Sequence, residues 1–235
     1  NIDAQNRLVT LSGQVITNGE FSVGFDIGSA SAIIITIEPA GDNDALPAVT
    51  KYLGGNVSNS AATLTIAHAS ALGTDFTNAA GKYILATPTD TVSSNERSGV
   101  WFLQLPGGTA GLSVPTLPAG WKYEGWVVAT QPLTTGKFSS SSGADQAAPY
   151  SGTNPGPPFP GEDYLRNAPS GVTFPLDLAG KTIVLSVEPD PDDSPNPFTL
   201  KPLAHLVPAN ALDHVTFTML NQAVATNPTG TATIN

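Results

Sequence analysis

The chain has 235 residues, with 9 lysines and arginines against 19 aspartates and glutamates, which gives a formal net charge of −10. So few basic residues leave no positive surface for a phosphate backbone, and the composition therefore argues against nucleic acid as a partner. The absence of cysteine excludes disulfides, thiolate metal sites and cysteine nucleophiles. No apolar run approaches the roughly 20 residues of a membrane-spanning helix, so no membrane span is expected.

Short alternating apolar segments, separated by glycine, proline and asparagine, predict strands along the whole chain. Ile33, Ile35 and Ile37 give the clearest of these strands a wholly apolar face. The strand ends at Pro39, since proline cannot donate to a sheet ladder. The other predicted strands, in chain order, are 8–11, 20–25, 63–66, 82–86, 100–105, 123–129, 183–187, 214–219 and 230–234. One or two helical turns are predicted around 68–72 and a linker at 87–99, so the predicted fold class is all-β.

An internal repeat organises the chain. Residues 33–39 recur as residues 183–189, and Lys51 matches Lys201 at the same offset. A second block, residues 17–21, matches residues 134–138. Two ordered blocks of matching sequence predict a duplication. We therefore predict two tandem immunoglobulin-like β-sandwich modules, residues 1–98 and 99–235, the second with a Ser/Pro/Gly-rich insertion at about residues 139–170.

The first module is predicted to lack its opening strand. Residues 100–105 precede the strand 123–129 in the second module, whereas almost no chain precedes the equivalent strand near Leu8. A missing strand leaves unpaired backbone groups at a sheet edge, which proteins pair or cover. Either the C-terminal segment of the same chain fills this place, or a strand from a neighbouring subunit does. The candidate inter-subunit strand consists of Gly230, Thr231, Ala232, Thr233 and Ile234.

Two repeated glutamate–lysine pairs are the best candidates for a site: Glu38 with Lys51, and Glu188 with Lys201. A glutamate beside a lysine can serve as an acid–base pair, or it can tie the end of one strand to the next strand. Because each module carries one pair, we predict structural ion pairs rather than a catalytic site.

No other residues form a convincing catalytic set. Glu162 and Asp163 are adjacent and point to opposite sides of an extended chain, so they are not predicted to act on one bond. The acidic loops 42–44 and 190–193 are predicted to be solvated turns rather than calcium sites. The sequence has no nucleophile elbow, phosphate loop or metal-ligand spacing. No catalytic residue, metal or cofactor is therefore predicted.

The second module carries a family signature. Residues 121–128 read WKYEGWVV, residues 135–138 read TGKF, and residues 185–189 read LSVEP before Ser194-Pro195. These strands resemble the extracytoplasmic C-terminal domain of bacterial anti-sigma-K-type factors. The resemblance implies a β-sandwich and an extracytoplasmic location. It does not imply sigma-factor binding, because the sequence has no sigma-binding segment, and residues 6–9 of the first module lack the aromatic signature.

The start at Asn1 and the single methionine, Met219, indicate a processed chain. Together with the low charge, they predict an exported protein at the cell surface or outside the cell. Two functions remain open. One is a non-enzymatic structural subunit that assembles with itself into a filament or surface layer by sharing β-strands. The alternative is a monomeric sensing or ligand-binding module, in which residues 139–169 form the recognition loop.

Overall fold

The computed structural model describes residues 28–38, 46–192 and 194–234. These residues form sixteen strands and one short helix, which confirms the all-β prediction. In chain order the elements are β1 (Ala32–Thr36), β2 (Lys51–Asn56), β3 (Ala61–Thr65), β4 (Ala80–Leu85), β5 (Gly99–Trp101), β6 (Leu103–Gln104), β7 (Thr109–Ala110), β8 (Leu112–Ser113), β9 (Trp121–Val128), β10 (Pro132–Phe138), β11 (Gly161–Asp163), β12 (Thr182–Pro189), β13 (Leu203–Leu206), β14 (Thr216–Thr218), β15 (Leu220–Asn221), α1 (Ala223–Thr226) and β16 (Thr229–Thr233). The predicted strands 8–11 and 20–25 lie outside the described residues.

The chain divides into two compact units, neither of which is a continuous stretch of sequence. The first unit comprises residues 1–75, 118–120 and 227–235, and the second comprises residues 76–117 and 121–226. This division differs from the predicted boundary after residue 98, because β4 pairs with β5, β8 and β14 and so belongs to the second unit. The predicted linker at 87–99 also lies inside the second unit, where Thr87 and Thr89 are buried.

The described residues of the first unit form an antiparallel sheet with the strand order β1-β2-β3-β16. Along β3, Ala62 and Leu64 are buried while Thr63 is exposed, as strand alternation requires. The helix predicted at 68–72 is instead a pair of turns, closed by a hydrogen bond of 3.0 Å from Gly73 N to Ile66 O. Gly73 has a φ of 73°, which a right-handed helix does not allow.

The second unit contains the two-stranded sheet β6-β7 and two larger antiparallel sheets whose side chains meet in one core. One sheet has the order β10-β9-β12-β13-β15, and the other has the order β11-β5-β4-β14 with β8 alongside β4. Ile183, Leu185 and Val187 of β12 are fully buried on one face, as the sequence predicted. The Tyr83 ring on β4 lies 5.8 Å from the His205 ring on β13. Rings from the two sheets therefore share one interior, as in a β-sandwich.

The duplicated segments make the same backbone contact. Ile37 N donates to Thr50 O at 2.9 Å, and Val187 N donates to Leu200 O at 2.9 Å. These four residues occupy matching positions of the repeat. The predicted missing strand of the first module involves residues 1–27, which lie outside the described residues. The duplication into two immunoglobulin-like modules, the first without its opening strand, therefore stays a prediction.

Candidate functional site

The candidate inter-subunit strand completes the sheet of the first unit. β16 pairs with β3, with Thr231 opposite Thr63 and Ala232 opposite Ala62. Just beyond β16, the N–H of Ile234 donates to the carbonyl of Ser60 at 2.8 Å. In the described part of the chain, β16 has one paired neighbour. Since the whole second unit separates β3 from β16 in sequence, this pairing is not a local hairpin.

The Ile234–Ser60 contact fixes the hydrogen-bond pattern of β16. Hydrogen-bonded and non-hydrogen-bonded pairs alternate in an antiparallel ladder, so Gly230 and Ala232 direct their N–H groups at β3. The N–H of Thr231 points away from β3, and its side chain lies on the exposed face of the sheet. A five-residue strand with these small side chains buries little apolar surface. Its attachment therefore depends mainly on backbone hydrogen bonds.

The two repeated glutamates bind the backbone of the loop that follows each strand. The Glu38 carboxylate oxygens lie 3.2 and 3.1 Å from Ala48 N. Those of Glu188 lie 2.8 and 3.1 Å from Phe198 N. Ala48 and Phe198 are themselves matching positions of the repeat. Each carboxylate therefore holds a returning loop by satisfying a backbone donor.

The predicted lysine partners lie elsewhere. Lys51 is exposed, and the Lys201 ammonium donates to Phe198 O at 2.5 Å. Among the described residues, no lysine or arginine nitrogen lies within 4.0 Å of the Glu38 or Glu188 carboxylate. Neither predicted pair therefore makes a direct contact; burial lowers the pKa of Lys201, and the charge of Glu188 partly offsets this effect from a greater distance. The carboxylates accept hydrogen bonds from the loop N–H groups, which the backbone already holds in place, and not from the flexible lysines.

Two adjacent carboxylates anchor the Pro-rich insertion. Asp163 is fully buried and accepts hydrogen bonds of 2.8 Å from Trp101 Nε1 and of 2.8 Å from Thr89 N. Glu162 is also fully buried and accepts a hydrogen bond from the Ser151 hydroxyl. Sequence reasoning missed this role because both sides of β11 face protein. The partners of Asp163 lie 62 and 74 positions away, and no local signal identifies them.

Burial raises the pKa of the carboxyls in the insertion above their ordinary values. Burial raises the pKa of Glu162 to about 7, and the charge of Asp145 adds to this effect. Burial also raises the pKa of Asp145 to about 6, although its Oδ2 accepts a hydrogen bond of 2.8 Å from Gly161 N. Such values are typical of acid–base groups. Here, however, the carboxylates accept hydrogen bonds from neutral donors of the insertion, which favours a structural role.

An open groove of about 310 Å³ lies beside these carboxyls. Its lining includes Trp101, Asp145, Gln146, Pro157 and Phe159. An aromatic ring, an amide and a carboxyl could together hold a small polar ligand. This groove is a feature of the insertion that fits the predicted recognition loop.

The wall of the groove gives a first prediction. A Cβ atom added at Gly156 would lie 2.3 Å from Cη2 of Trp101. The substitution Gly156→Ala is expected to lower the free energy of unfolding by about 1–3 kcal/mol, because the buried indole has to shift. The control Gly143→Ala, which meets no atom within 4 Å, is expected to change it by less than about 0.5 kcal/mol. Urea unfolding measures both; equal values for the two variants would contradict the contact.

In the part of the chain that the structure describes, no three histidine, aspartate or glutamate side chains are arranged to hold a metal ion. None of the described helices is long and apolar enough to cross a membrane. No family model, no curated protein and no solved structure matches the chain. The geometry of the chain itself therefore carries the functional inference.

Proposed function

We propose that this chain is a non-enzymatic structural subunit that assembles with itself by exchanging β16 between copies. The observation that carries the proposal is that β16 pairs with β3 although the whole second unit lies between these two strands in sequence. The edge of β3 accepts any strand with this sequence, whichever copy supplies it. When each copy gives its β16 to the next copy and the series of copies does not close into a ring, a filament or surface layer results.

Exchange costs little, because it preserves the contacts of β16. The hydrogen bonds from Gly230, Ala232 and Ile234 to β3 form equally within one chain or between two chains. The equilibrium between pairing within one chain and pairing between two chains then depends on protein concentration and on the conformation of the segment that leads into β16. The extracellular setting in this proposal rests on the sequence, with its low charge and its resemblance to extracytoplasmic domains.

Cysteine pairing provides the test, because the natural chain has no cysteine. Thr63 and Thr231 form a non-hydrogen-bonded pair on the exposed face, where Cα atoms approach to about 4.5 Å and a disulfide fits. We expect that a Thr63→Cys chain and a differently tagged Thr231→Cys chain, refolded together and oxidised, become covalently linked. Non-reducing electrophoresis detects the mixed product.

The matched control pairs Thr63→Cys with Thr229→Cys, since Thr229 lies opposite Thr65 and is out of register. That mixture is expected to give much less product. The proposal fails if the Thr63→Cys/Thr231→Cys double variant closes only within one chain while the mixed single variants stay separate. That outcome, with particles of 24.1 kDa in light scattering, would favour the alternative of a monomeric binding module.

A further inference from the structure

Three side chains from neighbouring strands of the second unit meet at one point. Lys137 on β10 lies opposite Glu124 on β9, and Asp192 follows the end of β12. The Lys137 Nζ lies 3.2 Å from Asp192 Oδ2 and 3.9 Å from Glu124 Oε2. The three side chains are 23%, 8% and 5% exposed, in the order lysine, aspartate, glutamate. An amine and two carboxyls are thus held together, and the two carboxyl side chains are largely shielded from water.

We infer that Lys137 and Asp192 form an intramolecular isopeptide bond, with Glu124 as the group that moves the protons. The bond joins Nζ of the lysine to Cγ of the aspartate. It ties β10 to the segment after β12 across the intervening β9. A chain without cysteine obtains in this way a covalent cross-link that it cannot obtain from a disulfide. The inference goes beyond strand exchange and holds for a monomer and a polymer alike.

The reaction is a condensation that needs no oxidant or other reactant. Glu124 takes one proton from the Lys137 ammonium, and the neutral Nζ attacks Cγ of Asp192. The nitrogen gives up a second proton as the new C–N bond forms. One C–O bond of Asp192 breaks, and its oxygen leaves with these two protons as water. Glu124 returns its proton in this last step and ends in its initial state.

The surroundings of Glu124 suit this role. Its Oε2 atom is buried, and no hydrogen-bond donor among the described residues reaches it. Its Oε1 atom accepts a hydrogen bond of 2.5 Å from the Thr134 hydroxyl, which fixes the carboxyl in place. Burial raises the pKa of Glu124 to about 7, so the group can both accept and return a proton near neutral pH. Lys137 also donates to the backbone carbonyl of Asp192 at 2.9 Å, which keeps the two residues together.

A second lysine–aspartate pair of the same unit lacks these features. Lys122 Nζ lies only 2.8 Å from Asp190 Oδ2, but the two side chains are 21% and 34% exposed. Among the described residues, no other carboxylate lies within 4.0 Å of Lys122. Proximity is therefore present in both pairs and the two lysines are about equally exposed, whereas a buried aspartate and a second carboxyl are present only at Lys137. The Lys122–Asp190 pair serves as the internal control.

The test is the mass of the purified, folded full-length chain after incubation at neutral pH. We expect a mass lower by one water than the sequence requires, and the full mass in Lys137→Arg and in Glu124→Gln. The Lys122→Arg control is expected to lose one water like the natural chain. Trypsin does not cut after an acylated lysine or before a proline. The expected digest therefore contains residues 123–166 joined to residues 182–235 in one branched peptide.

Three results would overturn the inference. One is a natural chain with its full mass and separate peptides. Another is a loss of one water that persists in Lys137→Arg. The lost water would then come from cyclisation of an aspartate and not from an isopeptide bond. The third is loss of the bond in Lys122→Arg. If folded Glu124→Gln, checked by circular dichroism, still loses water, the proton-transfer role of Glu124 is overturned while the bond stands. None of these measurements depends on strand exchange.

Discussion

Replacement of Asp163 by alanine is expected to lower the free energy of unfolding by about 3–5 kcal/mol. The carboxylate is fully buried and accepts hydrogen bonds from Trp101 Nε1, Thr89 N and the Thr89 hydroxyl. Alanine leaves these donors without an acceptor, and each unsatisfied buried donor costs about 1–3 kcal/mol. Removal of a buried charge offsets part of this loss, since burial raises the pKa of Asp163.

Urea unfolding of Asp163→Ala, Asp163→Asn and Asp177→Ala measures this effect. Asparagine is expected to give an intermediate loss, because its NH₂ group faces a donor in either orientation of the amide. Asp177 is 52% exposed and pairs with Arg97, so its removal is expected to cost no more than about 1 kcal/mol. If Asp163→Ala is no less stable than Asp177→Ala, then Asp163 does not anchor the insertion.

The second large effect is a loss of stability as the pH rises. Burial raises the pKa of Glu162 and Glu124 from 4.5 to about 7, and that of Asp145 from 3.8 to about 6. A carboxyl whose pKa is raised by folding binds its proton more tightly in the folded state. The stability that it contributes is complete below its unfolded pKa and is lost as the pH rises through its folded pKa. Stability is therefore expected to fall between about pH 4 and pH 8.

Glu162 is expected to contribute on the order of 2–3 kcal/mol to this fall, from its shift and complete burial. The measurement compares urea unfolding at pH 5 and pH 8 for the natural chain and for Glu162→Gln. Glutamine cannot ionise, so the variant is expected to show a smaller difference between the two pH values, whatever its absolute stability. The control Asp177→Asn, at an exposed position, is expected to keep the full difference. A natural chain that gains stability from pH 5 to pH 8 would contradict the prediction.

Local pattern was enough to predict many of the described strands, although it missed β2, β10, β11 and β13. Alternation placed Ile183, Leu185 and Val187 on one buried face, and a strand was predicted at residues 230–234, where β16 occurs. These predictions succeed because the side-chain period of a strand is written in consecutive residues. The helix predicted at 68–72 failed for a local reason too, since the backbone of Gly73 has a positive φ that a short apolar pattern does not reveal.

Partners distant in sequence were decided by the tertiary structure. The repeat identified Glu38 and Glu188 as equivalent, but not that loop amides, rather than lysines, would reach them. Composition gave no sign that Asp163 is buried beneath Trp101, or that Lys137 meets Asp192 beside Glu124. A charged side chain looks the same in the sequence whether it is solvated or enclosed. Its burial depends on which distant segments fold over it, and the packed chain alone determines that.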